Sequence, residues 1–301
     1  MSANRVFSST IIPTVSRPTL RRAVLSVLDQ EFAEADFEVI VVNDSGAPLA
    51  QADWQRSARV RVLDVPRRER CVCRNAGAAI ARGTYLHFLD DDDLLLPGAL
   101  IRFWELDNEK PAGVSWLYGA YQNVDNEGRV TQEFRPELEG NVFAALVAGE
   151  GIPFQVSMLD SRQFFLAGGF DTAPGLLGVE DRDVGRRMAL DGNVAGTREF
   201  VAQIRIGQLG STTNWGVLAE GDRVGREKAL SAPQAASRLR DSAKSSYWRG
   251  RGARAYAASM IWNLRRRAWA TAASRGMTGL AVTGWSALAP GFWQGLRTRI
   301  R

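Results

Sequence analysis

Short apolar runs separated by polar, helix-like stretches dominate the first 95 residues. The runs are rich in β-branched and aromatic residues, and they predict strands at 7–14, 37–42, 60–63 and 84–89. Leu20, Val24 and Val27 share one face of a helix that is predicted to open at 16–18. A second helix is predicted over 73–81, with Gly83 as its C-cap. This order predicts a Rossmann-like sheet with right-handed crossovers.

The pattern loosens past residue 111. A strand is predicted at 116–121, and a hairpin turn follows at 125–128. The stretch 164–171 is typical of a helix end and a turn. The acidic stretch 178–183 leads into another helix, which is predicted to end at 191–192.

Charge is divided unevenly along the 301 residues, whose net charge is +5. Residues 231–301 hold 13 lysines and arginines against one acidic residue, Asp241, which gives +12. The 230 residues before them keep 25 of the 38 basic and 32 of the 33 acidic residues, which gives −7. The sequence therefore predicts an acidic body over 1–230 and a basic, tryptophan-rich helical segment over 231–301.

The cysteines and the apolar windows bear on the cellular compartment. Cys71 and Cys73 lie too close for a relaxed disulfide and match no zinc pattern, so we expect free thiols in a reducing compartment. Pro13 interrupts the first apolar stretch, so no signal peptide is expected. The sequence contains no uninterrupted run of about 18 apolar residues, so no membrane-spanning helix is expected. These features predict a cytoplasmic protein.

Four consecutive aspartates, Asp90–Asp93, follow the strand predicted at 84–89. Like charges this close repel unless a cation or donors neutralise them, and carboxylates are ligands that Mg²⁺ and Mn²⁺ prefer. The alternative is an acidic cap on a helix that is predicted to start near Pro97. Thr14 and Asp44 follow two other strands, so we expect these polar positions to converge at the carboxyl edge of the sheet, where ligands bind.

Six motifs in order resemble those of the family 2 glycosyltransferases, over residues 8–214. They are Ile11–Pro18 (resembling IIPTYNRP), Val41–Gly46 (VVDDGS), Arg74–Gly83 (ARNxG…AxG), Phe88–Pro97 (FLDxDDxxxP), Gly168–Asp171 (GGFDE) and Glu180–Asp181 (ED). The resemblance implies the GT-A fold, an α/β fold whose Rossmann-like mixed sheet is flanked by helices. It also implies a nucleoside-diphosphate sugar as the donor.

The resemblance assigns nucleotide binding to residues after three of the strands and at a helix start. Asp44 would accept a hydrogen bond from a pyrimidine imide N–H. The remaining residues of this set are Pro13, Thr14, Arg17, Arg74, Asp90 and Asp91, the aspartates lying nearer the ribose. From the residues alone, the alternatives are turn chemistry for Asp44 and an exposed cation for Arg74.

The resemblance also implies a metal site and a base. Asp90 and Asp92 fit the acidic positions of the family's DXD motif, and Asp92 is the best single ligand for Mn²⁺ or Mg²⁺. Asp93 is expected to cap the next helix. Asp181 matches the family's catalytic base, and Glu180 beside it would raise its proton affinity. For this pair the alternative is an acidic helix N-terminus.

Two positions depart from the family pattern. The family often has an aromatic residue or histidine near 204–211, but the one histidine of this chain is His87, which we expect in the core or behind the metal site. Water or Gln208 would substitute. Asn43 replaces the first acidic residue of VVDDGS, which leaves the preferred nucleotide open.

Arginine and tryptophan alternate through 231–301, and 254–270 is predicted as a helix that carries Arg265–Arg267 beside Trp262 and Trp269. This composition favours either the interface of an anionic membrane or packing on the acidic body. No nucleic-acid-binding motif accompanies the charge.

The resemblance implies an inverting, metal-dependent glycosyltransferase. It would move a hexose or deoxyhexose from a UDP- or dTDP-linked donor to a glycan or lipid-linked acceptor, in cell-surface polysaccharide synthesis at the inner face of the membrane. The alternatives are a nucleotide-sugar-binding module of the same fold and a nucleotidyltransferase. The latter usually has a basic, glycine-rich loop after its first strand, which 13–16 is not.

Overall fold

A computed structural model of the chain describes residues 6–66, 69–176, 178–206 and 215–298. It divides into two compact units, the first comprising Met1–Glu139 and Ile152–Gly225 and the second Gly140–Gly151 and Arg226–Arg301. The division that composition predicts after residue 230 stays a prediction.

The first unit is built on one mixed sheet. Its strands are β1 (Val6–Thr14), β2 (Asp36–Asn43), β3 (Val60–Asp64), β4 (Tyr85–Phe88), β5 (Leu94–Leu95), β6 (Val114–Val124), β7 (Val130–Phe134), β8 (Ser157–Asp160) and β9 (Asn193–Arg205). Their order is β3-β2-β1-β4-β8-β6-β9-β5, and β7 pairs with β6. The first four strands are parallel, whereas β8 runs antiparallel to β4 and β6. The expected α/β fold with a mixed sheet is confirmed.

Helices complete both units. They are α1 (Leu20–Leu28), α2 (Arg70–Ile80), α3 (Ala99–Glu109), α4 (Phe143–Val147), α5 (Ser161–Leu166), α6 (Glu180–Met188), α7 (Trp215–Leu230), α8 (Ala235–Asp241), α9 (Ser245–Arg265), α10 (Trp269–Thr283) and α11 (Pro290–Arg297). In the second unit α9 packs against α4, α10 and α11. Within the described residues, no helix combines the length and the apolar character that crossing a bilayer requires.

The start of α2 differs from the predicted helix over 73–81. The Glu69 carboxylate accepts hydrogen bonds from the backbone N–H groups of Cys71 and Val72 at 2.7 and 2.9 Å, and this cap lets the helix begin at Arg70. Gly83 is wrongly predicted as the C-cap, which is Ala81 in an extended conformation. Glycine is needed at 83 because a Cβ there would lie 2.5 Å from the backbone nitrogen of Ser9 in β1.

The predicted helix over 254–270 is also wrong in its bounds. Helix α9 already begins at Ser245 and ends at Arg265, and α10 begins at Trp269. Arg267 has a φ of 59°, in the left-handed region, which breaks the helical path between them.

A buried carboxylate ties β1, β2 and β3 to the end of α2. Glu38 of β2 accepts hydrogen bonds from Ser9 Oγ at 2.6 Å, from Arg61 Nη2 at 2.7 Å and from the Arg82 backbone N–H at 2.7 Å. Burial by itself raises the pKa of Glu38, but the bonds from Ser9 and Arg82 and the charge of Arg61 outweigh it and hold the pKa below its usual value.

Replacing this acceptor should destabilise the protein. For Glu38→Gln we expect about 2 kcal/mol lost at pH 7, because buried donors lose their ionised partner. Since folding lowers the pKa of Glu38, its stabilisation is present above the unfolded-state pKa and disappears as the pH falls through the folded-state value. Urea unfolding at pH 7 and pH 3.5 measures both effects, with the exposed Glu31→Gln as control. An equal loss at both pH values would contradict the account.

Candidate active site

The carboxyl ends of β1, β2 and β4 meet at one edge of the sheet. The backbone N–H of Asp44, after β2, donates to the carbonyl of Thr14 at the end of β1, at 3.0 Å. The Thr14 hydroxyl donates to Asp91 Oδ2 at 2.5 Å. Polar positions that follow three separate strands therefore lie together.

Arg17 bridges the middle two aspartates of the acidic run. Its Nη1 donates to Asp91 Oδ1 at 3.0 Å and to Asp92 Oδ2 at 3.2 Å. Burial raises the pKa values of both carboxyls, and for Asp92 the charge of Asp90 adds to the effect. Asp91 is buried, whereas the Asp92 side chain is one-third exposed and reaches the surface.

The acidic run does not cap the following helix. The N-cap of α3 is Gly98, and no side chain donates or accepts there. Asp93, expected to cap that helix, instead accepts the backbone N–H of Arg205 in β9 at 2.8 Å. Burial, followed by the charge of Asp90, raises the pKa of Asp93 well above its usual value. The helix-cap interpretation of the run is therefore wrong.

Arg74 of α2 joins the acidic run to the start of α6. Its Nη2 donates to Asp90 Oδ1 at 2.8 Å, and its Nη1 donates to Glu180 Oε1 at 3.1 Å. Arg74 is buried, so the interpretation of this residue as an exposed cation is wrong. Burial opposes ionisation of Asp90, but the Arg74 guanidinium outweighs it and holds the pKa of that carboxyl below its usual value.

His87 lies behind this network rather than in it. Its ring nitrogens lie 3.1 Å from Thr10 Oγ1 and 3.0 Å from the carbonyl oxygen of Gln155. The Gln155 side chain in turn donates to Asp90 Oδ2 at 2.9 Å. Burial lowers the pKa of His87 to about 4, so the ring is neutral at pH 7 and supports the segment that holds Asp90.

Glu180 and Asp181 open α6 and differ in their surroundings. The Glu180 carboxylate accepts hydrogen bonds from Arg74, from Arg70 at 3.4 Å and from the backbone N–H of Gly178 at 2.5 Å. Among the residues that the structure describes, Asp181 accepts a hydrogen bond only from the neighbouring Arg182 backbone N–H, at 2.8 Å. Burial raises the pKa of Asp181 above its usual value, and the charge of Glu180 is the second cause. Both residues also occupy the first turn of the helix, as the N-terminal alternative requires.

A cavity of about 170 Å³ lies in front of these groups. Its polar lining brings two arginines, three carboxylates and one amide together, and its walls include Phe88 and Phe154; the polar residues are Arg70, Arg74, Asp90, Gln155, Glu180 and Asp181. Cations next to a carboxylate of raised pKa form a site that suits an anionic substrate and proton transfer.

A glycine turn at 168–170 is held against helix α2 by Asn75. Asn75 Nδ2 donates to the carbonyl of Phe170 at 2.7 Å, and its Oδ1 accepts the Phe170 backbone N–H at 2.9 Å. Gly169 has a φ of +62°, and a Cβ there would lie 2.9 Å from Asn75 Oδ1. The Phe170 ring centroid lies 5.3 Å from the Arg74 guanidinium. The third and fifth motifs of the sequence therefore contact each other.

Asp44 and Pro13 stand apart from the cavity lining. Asn43, not Asp44, forms the turn after β2, because its Oδ1 accepts the Ser45 backbone N–H at 3.1 Å. Turn chemistry therefore does not explain Asp44, which is buried beside Cys73. Burial, followed by the charge of Asp44, raises the pKa of the Cys73 thiol to about 12, and no disulfide joins Cys71 and Cys73. Pro13 is half-buried in β1, paired with Val42.

The donor set fits a divalent cation only when a substrate shares it. Across the described residues, no three His, Cys, Asp or Glu side chains gather as a ready metal cluster. The two carboxylate oxygens of Asp90 accept hydrogen bonds from Arg74 and Gln155. Asp92, by contrast, accepts from one side chain of the described residues, Arg17, through Oδ2. Mg²⁺ is usually held by one or two protein carboxylates together with phosphates of the substrate. Asp92, with Asp90 beside it, is suited to provide the carboxylates.

Two residues of the cavity escape sequence analysis. Arg70 precedes Arg74 by four positions and shares its helix face, but it lies before the predicted helix over 73–81. Gln155 lies in a short 3-10 turn, Phe154–Val156, and belongs to none of the six sequence motifs. Gln208, the suggested additional metal ligand, lies outside the described residues.

Comparison with known proteins identifies the family. The model of the family described as Glycosyl transferase family 2 matches residues 9–159, half of the chain. The chain therefore belongs to glycosyltransferase family 2.

Curated relatives share part of the chain. Poly(ribitol-phosphate) beta-N-acetylglucosaminyltransferase TarP of Staphylococcus aureus is 30% identical over 157 residues, which cover 50% of this chain and 47% of the relative. GalNAc(5)-diNAcBac-PP-undecaprenol beta-1,3-glucosyltransferase of Campylobacter jejuni is 30% identical over 176 residues, covering 52% and 54%. The chain thus spans about half the length of the curated relatives it matches.

A solved structure shares the fold. The crystal structure of Staphylococcus aureus TarS 1–349 in complex with UDP-GlcNAc superposes with a TM-score of 0.65 at 14% sequence identity, covering 98% of this chain and 94% of that one. The likeness supports the Rossmann-like GT-A fold.

Arg74 should be irreplaceable by lysine. We expect Arg74→Lys to cost about 2 kcal/mol, because a single ammonium cannot pair with Asp90 and Glu180 in the geometry of the planar guanidinium. The matched control is Arg70→Lys on the same helix face; Arg70 is more exposed and pairs with Glu180 at 3.4 Å, so we expect less than about 1 kcal/mol. Urea unfolding of both variants makes the comparison, and equal losses would show that the bridge is not what stabilises the site.

Proposed function

We propose that this chain is an inverting glycosyltransferase that moves a hexosyl or deoxyhexosyl group from a UDP- or dTDP-linked sugar to a hydroxyl of a glycan or lipid-linked acceptor in cell-surface polysaccharide synthesis. The observation that carries the proposal is the cavity in which Asp181 lies beside Arg70, Arg74 and Asp90. The names of TarP and of the undecaprenol-linked glucosyltransferase support this acceptor class, and the UDP-GlcNAc complex of TarS supports a nucleotide-sugar donor.

Asp181 is the proposed base. As the acceptor oxygen bonds to the anomeric carbon, the bond from that carbon to the diphosphate oxygen breaks, and the nucleoside diphosphate leaves with the electron pair. The Asp181 carboxylate takes the hydroxyl proton. With one base and attack opposite the leaving group, the anomeric configuration inverts. Its raised pKa brings Asp181 closer to the working pH than an ordinary aspartate.

The cationic wall of the cavity is suited to the diphosphate. Arg74 and Arg70 present guanidinium groups, whose fork geometry matches phosphate oxygens. Asp92, with Asp90, would hold Mn²⁺ or Mg²⁺ against the same group. When bound, such an ion neutralises charge on the departing diphosphate.

The edge formed by β1 and β2 is the proposed nucleoside pocket. Asp44 would accept the imide N–H of a pyrimidine, and Thr14 and Pro13 would line the pocket. Arg17 pairs with Asp91, which would lie near the ribose, and with Asp92, which would hold the metal, and so fixes the two carboxylates relative to each other.

Removing the base should abolish transfer without abolishing donor binding. We expect Asp181→Asn to lower kcat by roughly 10²- to 10⁴-fold while the affinity for UDP stays unchanged.

The neighbouring Glu180 should influence the pH dependence. Glu180→Gln removes the second cause of the raised Asp181 pKa, so the acid limb of the kcat/KM profile should move to lower pH. Turnover assays across pH 5–8 with calorimetry of UDP binding measure both. A fully active Asp181→Asn enzyme would contradict the assignment, and a wild type that binds UDP without any turnover would indicate a binding module.

Nucleotide binding should depend on the metal through Asp92. We expect calorimetry with UDP, dTDP, GDP and CDP to show binding of one pyrimidine diphosphate that Mn²⁺ strengthens, and Asp92→Asn to remove the Mn²⁺ effect. The exposed Asp53→Asn serves as the control. Binding that is indifferent to Mn²⁺ would contradict the metal assignment, and no binding of any nucleotide would contradict the donor site.

A further inference from the structure

Helix α10, in the second unit, buries its charged residue and exposes its large apolar residues. Its single charged residue, Arg275, is buried and pairs with Glu227 of α7. Its exposed positions carry tryptophan, methionine, leucine, alanine and serine, with no charge among them. A helix on a water-soluble body normally turns its apolar stripe inward and its charges outward. Something apolar is therefore expected to cover this face.

The exposed apolar positions form one continuous row. Trp269 and Met277 lie eight residues apart on one side of the helix, with the exposed Ala273 between them. From Met277 onward the large side chains follow at three- to five-residue spacing into the 3-10 turn Gly284–Leu288; they are Leu280, Trp285 and Leu288. Leu280 is 73% exposed and Trp285 is 88% exposed. At about 1.5 Å per residue the 15-residue helix extends this row over about 22 Å. We call this row the α10 face.

Charge next to the α10 face indicates what covers it. Arg265, Arg266 and Arg267, all exposed, are separated from α10 by Ala268 alone. The Arg266 guanidinium lies 4.5 Å from the Trp262 ring centroid. Trp262 is itself half exposed. Tryptophan and arginine at the border of an apolar surface are the arrangement that binds the boundary between lipid headgroups and acyl chains.

A second copy of the chain fits this surface less well. Two-fold pairing would bring the same patch on both subunits together. Residues 242–298, which include the α10 face and its flanks, contain no acidic side chain, so a second copy of this face offers the arginine triplet no counter-charge. An anionic lipid surface neutralises the triplet instead.

We infer that the α10 face docks the second unit onto an anionic bilayer, with α10 lying in the plane of the headgroups and the arginine triplet against lipid phosphates. This inference does not rest on the proposed glycosyl transfer, because vesicle binding is measured without donor or acceptor. No helix in the described part of the chain is suited to span the bilayer, so the docking is peripheral.

Flotation of the full chain with vesicles tests the inference. We expect binding to phosphatidylcholine vesicles containing phosphatidylglycerol and much weaker binding to phosphatidylcholine alone. Leu280→Glu with Met277→Glu should reduce the partition coefficient by roughly tenfold or more. Arg265→Gln with Arg267→Gln should reduce it by roughly fivefold for each arginine. The control is Leu166→Glu in α5, a similarly exposed leucine of the first unit.

The outcomes separate the alternatives. Absence of vesicle binding overturns the inference, as does binding that the two Glu substitutions leave unchanged, because charge alone would then explain it. A dimer in light scattering that Leu280→Glu converts to monomer, with no vesicle binding, would assign the face to a second copy. Circular dichroism of each variant checks that α10 remains folded.

Discussion

The pairing of one buried arginine organises the whole site. Arg74 cannot lose its charge inside the protein, so its burial is tolerable only if carboxylates and hydrogen bonds surround it. Asp90 and Glu180 satisfy this need from two segments that are 90 residues apart in the chain. The arginine therefore fixes the loop after β4 against the start of α6, and Asp181, next to Glu180, is held at the cavity as a consequence.

The same constraint divides the acidic run into unequal parts. Four adjacent carboxylates would repel one another, yet each has a hydrogen-bond donor. Asp90 is paired with Arg74 and Gln155, Asp91 with Thr14 and Arg17, Asp92 with the same Arg17, and Asp93 with a backbone N–H. The two buried members, Asp91 and Asp93, hold the loop after β4 against β1 and β9. The one-third-exposed Asp92 bonds to Arg17 through a single oxygen, which is why the proposed metal site is centred on it.

The sequence predicts the frame of the site better than its contacts. Hydrophobic periodicity and turn residues locate the first four strands, because burial of a parallel sheet leaves a strong local signal. Motif order places Arg74, the acidic run and Asp181 at one site. The contributions of Arg70 and Gln155 leave no such signal, since they depend on where α2 begins and on a 3-10 turn. The role of Gly83 likewise depends on how closely β1 approaches, which no local pattern encodes.

In helix α10, as at Arg74, a buried arginine has to be paired with a carboxylate. Counting apolar positions along 269–283 identifies a helix but does not tell which side faces inward, because small and apolar residues occur all around it. The single arginine decides: paired with Glu227, Arg275 turns inward, and Trp269, Met277 and Leu280 are left outside. In both units a buried arginine paired with a carboxylate sets the orientation of its helix, and so decides which side chains that helix leaves accessible.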